Sequence, residues 1–156
     1  MGTPPALADW QIFAPEAAGF SAEFPAEPAF RDVVAPRSPA VAFFHDYRLA
    51  RDGSVFFVDV IELTPVMRDA LTDREVVDFA AGVVAPDCER GALREIPMAG
   101  GVGHETTFRC PNDVAMRLRL RIEGPWVYQV AAAGGPGFIA TPEAARFLDS
   151  FRLVER

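Results

Sequence analysis

The densest run of chemically distinctive residues in this sequence is Arg117-Leu118-Arg119-Leu120-Arg121. Side chains alternate across a strand, so Arg117, Arg119 and Arg121 project from one sheet face while Met116, Leu118, Leu120 and Ile122 face the core. Guanidinium forks match carboxylates and phosphates, which makes this ladder the candidate partner-binding site, for an anion or an acidic protein surface. The same pattern also describes an ordinary solvated face. Its charge would then be offset by cross-strand acids such as Glu105 or Glu95, each pair contributing roughly 0.2–1 kcal/mol.

A second set consists of soft or nitrogen donors: His45, His104, Cys88, Cys110, Met98 and Met116. His104 and Cys110 share parity within one expected strand and therefore one face. A pocket near them is the alternative site, for a small ligand or a metal, because imidazole and thiolate suit zinc or copper. No two of the donors have a short metal-ligand spacing, so no metal ligand is assigned. Cys88 and Cys110 fit neither a CxxC nor a Cys/His pattern. Whether they pair is left open, since sequence does not fix the distance between their Cα atoms.

Nucleophilic catalysis needs a base beside the nucleophile and a group to orient that base. Ser21, Ser38, Ser54 and Ser150 sit in no elbow motif, and His45-Asp46, adjacent on a strand, point to opposite faces. A hydrolase with an unrecognised site is a third reading, and no catalytic residue is assigned. All 15 basic residues are arginine, which excludes a Schiff-base or P-loop lysine. The runs Gly100-Gly101-Val102-Gly103 and Gly134-Gly135-Pro136-Gly137 do not lead from a strand into a helix, so neither reads as a phosphate loop, and no cofactor is assigned. At one common end of a sheet, the two loops would rim a recognition surface.

These residues need elements to hold them. Half of the 156 residues are apolar and the formal charge is −7, an ordinary globular balance that disfavours nucleic acid and anionic membranes as partners. No stretch approaches the ~18 apolar residues of a membrane span. Residues 1–9 read as a lead-in without a signal-peptide pattern, and 10–156 as one domain. The chain as written fits the cytoplasm, and a trimmed leader would mean export. Oligomeric state is left open.

Strands are expected at Trp10–Phe13, Phe20–Phe24, Val41–Leu49, Ser54–Leu63, Leu93–Met98, His104–Cys110, Ala115–Ile122 and Trp126–Ala133, with an edge strand or extended connection over Phe30–Pro39. Asp52-Gly53 marks a hairpin, and the apolar run Val55–Ile61 marks a central strand covered on both faces. Thr72 and Glu75 form a capping box ahead of Val76, Phe79, Ala80, Val83 and Val84, the expected buried face of a helix that Pro86 ends. A second helix starts at Thr141-Pro142 and buries Ala144, Phe147, Leu148 and Phe151. Phe151–Val154 is either its last turn or a short final strand. Short links favour antiparallel neighbours, so the fold class is α+β with a central, mostly antiparallel sheet.

Five segments together resemble the PsbP-like and Mog-like domains: Phe13-Ala14-Pro15-Glu16, Gly19-Phe20-Ser21-Ala22-Glu23-Phe24-Pro25, Gly103-His104-Glu105, Val127-Tyr128-Gln129-Val130, and Ala144 to Phe151. The resemblance spans nearly the whole chain and implies an α/β sandwich, an antiparallel sheet flanked by helices. Phe20 and Phe24 would be core anchors and Thr141–Phe151 a docked terminal helix. It further implies a non-enzymatic binding or assembly module of bacterial origin whose partner is another protein, an inference by analogy of fold.

Overall fold

The computed structural model describes residues 10–33 and 41–156. The expected lead-in, Ser38 and the second half of the Phe30–Pro39 connection lie outside the described residues.

Two sheets carry the architecture. A small one has the order β1-β2-β11, from β1 (Gln11–Phe13), β2 (Phe20–Phe24) and β11 (Arg152–Leu153). The large one has eight strands in the order β3-β4-β5-β10-β9-β8-β6, with β7 also paired to β8. Its members are β3 (Ala29–Asp32), β4 (Val41–Arg51), β5 (Ser54–Leu63), β6 (Glu89–Arg90), β7 (Arg94–Met98), β8 (Gly101–Cys110), β9 (Val114–Glu123) and β10 (Trp126–Gly134). Every described pairing is antiparallel. Asp52 and Gly53 both hold positive φ, 52° and 79°, the backbone of a tight primed turn, and this closes the β4–β5 hairpin with Arg51 opposite Ser54.

β5 lies between β4 and β10 and is buried almost throughout, as its apolar run requires. Phe56, Val58 and Val60 enter one core with Tyr128, Val130 and Ala132 of β10 and with Phe20 and Phe24 of β2. Phe57, Ile61 and Leu63 enter the other with Val127 and Ala131. The first core is closed by α3 (Pro142–Ser150), which buries Ala144, Phe147 and Leu148, with Phe151 at its C-cap. Thr141 caps this helix by accepting from Ala144 N at 3.2 Å. Phe24, Phe56 and Phe147 meet as edge-to-face pairs at 5.0 and 5.2 Å between ring centroids.

The second core is closed by α2 (Asp73–Val84). Its capping box is formed as expected: Thr72 Oγ1 accepts from Glu75 N at 3.2 Å, and Glu75 Oε1 accepts from Thr72 N at 3.0 Å. The buried face differs from the expected one. Val76, Val77, Ala80 and Ala81 are buried, whereas Phe79 and Val83 are 55% and 56% exposed. A short α1 (Pro65–Ala70), capped by Thr64, precedes it and was not expected from the periodicity, being too brief to show one. The segment Phe151–Val154 resolves to the short strand β11, paired to β2.

The two glycine runs lie at opposite ends of the large sheet. Gly103 pairs with Arg121 near the β9–β10 turn, while Gly134 pairs with Ala115 at the far end of β9. The antiparallel meander that joins them forbids a shared rim, so the condition for a joint recognition surface is not met. Cys88 and Cys110 form a disulfide between the segment leading into β6 and the end of β8.

Candidate functional site

Arg117, Arg119 and Arg121 do share one face of β9, opposite Ala132, Val130 and Tyr128 of β10. That is the face α3 covers. The neighbouring strand β8 sets Glu105 directly across from Arg119. Glu105 is almost fully buried and accepts from Arg117 Nε at 2.9 Å, from Arg119 Nε at 2.8 Å and from Arg94 Nη2. Arg119 also donates to Asp149 of α3 at 2.7 Å, and Arg121 donates to the Met98 and Ile122 carbonyls at 3.2 and 2.7 Å. Burial pushes the Glu105 carboxyl up, but the three guanidinium hydrogen bonds outweigh it and bring its pKa down to about 2. Chemically the ladder is a saturated ion-pair network that ties β7, β8, β9 and α3 together. Arg94 is its most exposed guanidinium.

The soft donors are scattered. Cys110 is bonded to Cys88, so neither sulfur is a thiolate ligand, and the pairing left open by the sequence is made. Met98 packs into the first core and Met116 into the second. His45 packs at a tilt against Phe43 with its Nε2 3.6 Å from Asp32, and His104 lies 4.0 Å from Glu95. The groove at His104 is lined by Thr72, Asp73, Arg74, Glu95 and Arg121 and does not include Cys110, so the paired His104/Cys110 pocket is not formed. Among the described residues, no group of three or more His, Cys, Asp or Glu side chains is placed to hold a metal ion. Ser150 Oγ donates to Phe147 O at 2.7 Å and accepts from Glu23 N at 2.8 Å, and so serves the α3 terminus.

The most chemically unusual place was not singled out from the sequence. Between α2 and the large sheet lies a cleft of about 230 Å³. Its walls are Phe44, Phe57, Ile61 and Val127 from the sheet and Val76, Ala80 and Val84 from the helix, with Phe79 and Val83 at the mouth. On the helix side, only the short side chains of Val76, Ala80 and Val84 face Asp59 and Gln129 across this space. Those two polar residues form the base, directly paired across β5 and β10 and exposed by only 3% and 2%. Asp59 Oδ1 and Gln129 Oε1 are buried without a hydrogen-bond partner.

Behind them, Asp46 of β4 stands opposite Asp59 and shares a side-chain hydrogen bond with it. Asp46 Oδ1 accepts from Arg48 Nη2 at 3.1 Å, and Arg31 Nη2 lies 3.8 Å from its Oδ2. Burial holds the Asp59 carboxyl well above the usual carboxylate range, helped by the hydrogen bond and charge of Asp46 and only partly opposed by Arg48 and Arg31. Arg48 packs its guanidinium 4.4 Å from the Phe57 ring centre and walls one side of the cleft. The sequence did carry a signal here. Asp59 interrupts a strand otherwise apolar on both faces, and a buried acid in that position needs a partner.

No protein-family model matches this chain, and no curated protein matches it. Among solved structures, the chain is similar to the solution structure of cyanobacterial PsbP (CyanoP) from Synechocystis sp. PCC 6803. The TM-score is 0.64 at 15% identity, over 94% of this chain and 94% of that one. At that identity the likeness concerns the fold, which is PsbP-like.

Proposed function

We propose that this protein is a non-enzymatic accessory module of PsbP-like fold that works by binding, and that its binding element is the cleft between α2 and the large sheet. One observation carries the reading: two acceptor atoms, Asp59 Oδ1 and Gln129 Oε1, are buried and unpartnered at the base of an apolar cleft. Buried polar groups are normally satisfied, and leaving one unmade costs about 1–3 kcal/mol. Apolar walls with a few convergent polar groups are the usual constitution of a small-molecule site. The Cys88–Cys110 disulfide fits an oxidising compartment better than the cytoplasm.

The test is a fragment screen followed by methyl NMR. The expected result is a set of apolar fragments that shift Val76, Ala80, Ile61 and Val127 signals. A folded protein whose cleft methyls respond to no fragment would overturn the reading.

A second reading has a specific observation behind it. On a chain whose formal charge is −7, Arg94 stands 67% exposed at the edge of the Glu105 network, a guanidinium suited to an acidic protein partner. Because Arg117 and Arg119 are both held inside that network, the fitting test replaces Arg94 with Gln and measures capture of an identified co-purifying protein. Unchanged capture by this variant would remove the face from consideration.

A further inference from the structure

The cleft has a direction. Along β5 it runs from Phe57 to Leu63, about 20 Å of strand. On β4, Arg48 stands across from Phe57 at one end, and Val41 stands across from Leu63 at the other. Between those ends, Phe44, Ile61 and Val127 on the sheet and Val76, Ala80 and Val84 on α2 offer hydrocarbon. The space is therefore cationic at one end and apolar along most of its length.

Of the three polar residues on its walls, Arg48 is the one open to a ligand. Its side chain is 43% exposed, whereas Asp59 and Gln129 are exposed by 3% and 2%. The guanidinium is pinned but not exhausted. Nε and Nη2 both donate to Asp46 Oδ1, at 3.3 and 3.1 Å, and the group lies 4.4 Å from the Phe57 ring centre. Held on both sides, it has little freedom left to lose when a ligand arrives. Nη1 donates to no described residue, so the Nη1–Nη2 edge of the fork is free for a second carboxylate. Asp46 also has Arg31 3.8 Å away, so two guanidiniums share that one carboxylate. An ammonium head would be repelled at this end, and a neutral head would forgo the charge-assisted bond.

Size and net charge set further bounds. The cleft measures about 230 Å³, against ~150 Å³ for an engineered apolar cavity that takes up benzene. It has room for a hydrocarbon part somewhat larger than that ring. The formal charge of −7 opposes docking on an anionic membrane, which favours a ligand taken up as a single molecule.

Resting on the cleft reading above, we propose that the cleft binds an amphipathic monocarboxylate, its hydrocarbon tail lying between β5 and α2 toward Leu63 and its carboxylate on the free Nη1–Nη2 edge of Arg48.

The experiment titrates the full chain near neutral pH with octanoate, hexanoate, octan-1-ol and octylammonium, following the Val76, Ala80, Ile61 and Val127 methyls by NMR. Octanoate is expected to bind roughly tenfold more tightly than octanol, the equivalent of about 1.4 kcal/mol. Hexanoate, two methylenes shorter, should bind up to about fifteenfold more weakly than octanoate. Arg48→Gln should remove the advantage of octanoate over octanol and leave octanol where it was. Val83→Glu, at an exposed lip position, should weaken octanoate while sparing octanol, and it tests the head group even if Arg48→Gln fails to fold. Octanoate no tighter than octanol, or weaker than octylammonium, overturns the head-group assignment while leaving the cleft as a binding site. Equal weakening of octanoate and octanol by Arg48→Gln overturns it too, since Arg48 would then shape the cleft without holding the head. Signal loss on anionic phospholipid vesicles without saturable octanoate binding would overturn the single-molecule ligand in favour of a membrane surface. If no compound reaches the cleft methyls, the cleft reading itself falls.

Discussion

Two carboxyl groups of this protein are buried to a similar depth and driven in opposite directions. Glu105 has three guanidinium partners and is held down near 2, whereas Asp59 faces another acid and is held up. The linkage signs follow. A carboxyl lowered on folding contributes stability above its unfolded value near 4.5 that is lost as pH falls toward 2. A carboxyl raised on folding binds its proton more tightly in the native state, so its contribution is present at low pH and is lost as pH rises from its unfolded value through the folded one. Glu105→Gln should therefore cost roughly 2–3 kcal/mol near neutral pH, with the gap to wild type closing as pH approaches 2. Asp59→Asn should do the reverse, gaining on wild type as pH rises above the usual carboxylate range. Urea unfolding followed from about pH 2 up to alkaline pH measures both. Parallel pH profiles for wild type and Asp59→Asn would show that Asp59 does not titrate as its surroundings require. Arg119 belongs with Glu105: Arg119→Glu sets a carboxylate against Glu105 and Asp149, and it should destabilise the fold outright.

At the scale of elements, local rules were sufficient wherever one chemical signal dominated. The Asp52-Gly53 turn, the Thr72/Glu75 box and the Thr141-Pro142 start each depend on backbone geometry set by a few neighbouring residues, and each formed as expected. The face of α2 did not. Val76, Val77, Ala80 and Ala81 are as periodic as Val76, Phe79, Ala80 and Val83, and only the partner layer decides between the two sets. Because the helix lies with its small residues toward the sheet, the cleft opens and Phe79 becomes its lip. That outcome needs the position of β5 and β10, which no local pattern contains. The same limit hid Glu105. Glu105 is one of two cross-strand acids the sequence offers to offset the ladder, but its threefold setting with Arg94, Arg117 and Arg119 depends on β7 folding back on β8.

The Cys88–Cys110 bond acts on this same edge. β6 is two residues long and, among the described residues, pairs only with β8, and Gly91 N adds one bond to Thr107 O at 2.8 Å. Cross-linking residues 22 apart removes loop-closure freedom worth about 3 kcal/mol in the chain-entropy account. Replacing both cysteines with Ser should lower unfolding stability by roughly that amount. Hydrogen exchange should quicken first in Glu89–Gly91, ahead of β9 and β10. Uniform loss of protection across the large sheet would instead mean that the edge and centre open together.

The whole molecule is two sheets of unequal size held together by aromatic packing and by arginines that cross between them, Arg51 to the Pro25 carbonyl at 3.2 Å among them. Phe20 of the small sheet stacks on Phe151 at 6.0 Å and meets Tyr47 of the large sheet edge-on at 5.4 Å. Arg156 then crosses the junction. It donates to the Ala17 and Ala18 carbonyls at 2.9 Å each and to Tyr128 Oη at 2.7 Å, and its guanidinium lies 3.4 Å from the Trp126 ring centre. Gly19, with φ of 82°, fits beneath this cluster because a Cβ there would come within 2.5 Å of Tyr128 Oη and 2.9 Å of Arg156. Hydrogen bonds from a charged donor are worth about 1.5–3 kcal/mol, and a partly buried cation–π contact adds roughly 0.5–2. Arg156→Ala should thus cost on the order of 2–3 kcal/mol, after the entropy of ordering a long side chain is subtracted. The loss should appear as detachment of the small sheet: faster amide exchange in Phe20–Phe24 and Arg152–Leu153, with β5 and β10 still protected. The α2 cleft lies on the opposite face of the large sheet from this junction, so Arg156→Ala should leave binding of apolar fragments there unchanged. A variant that lost both together would mean that the two faces of the large sheet are mechanically coupled through β5.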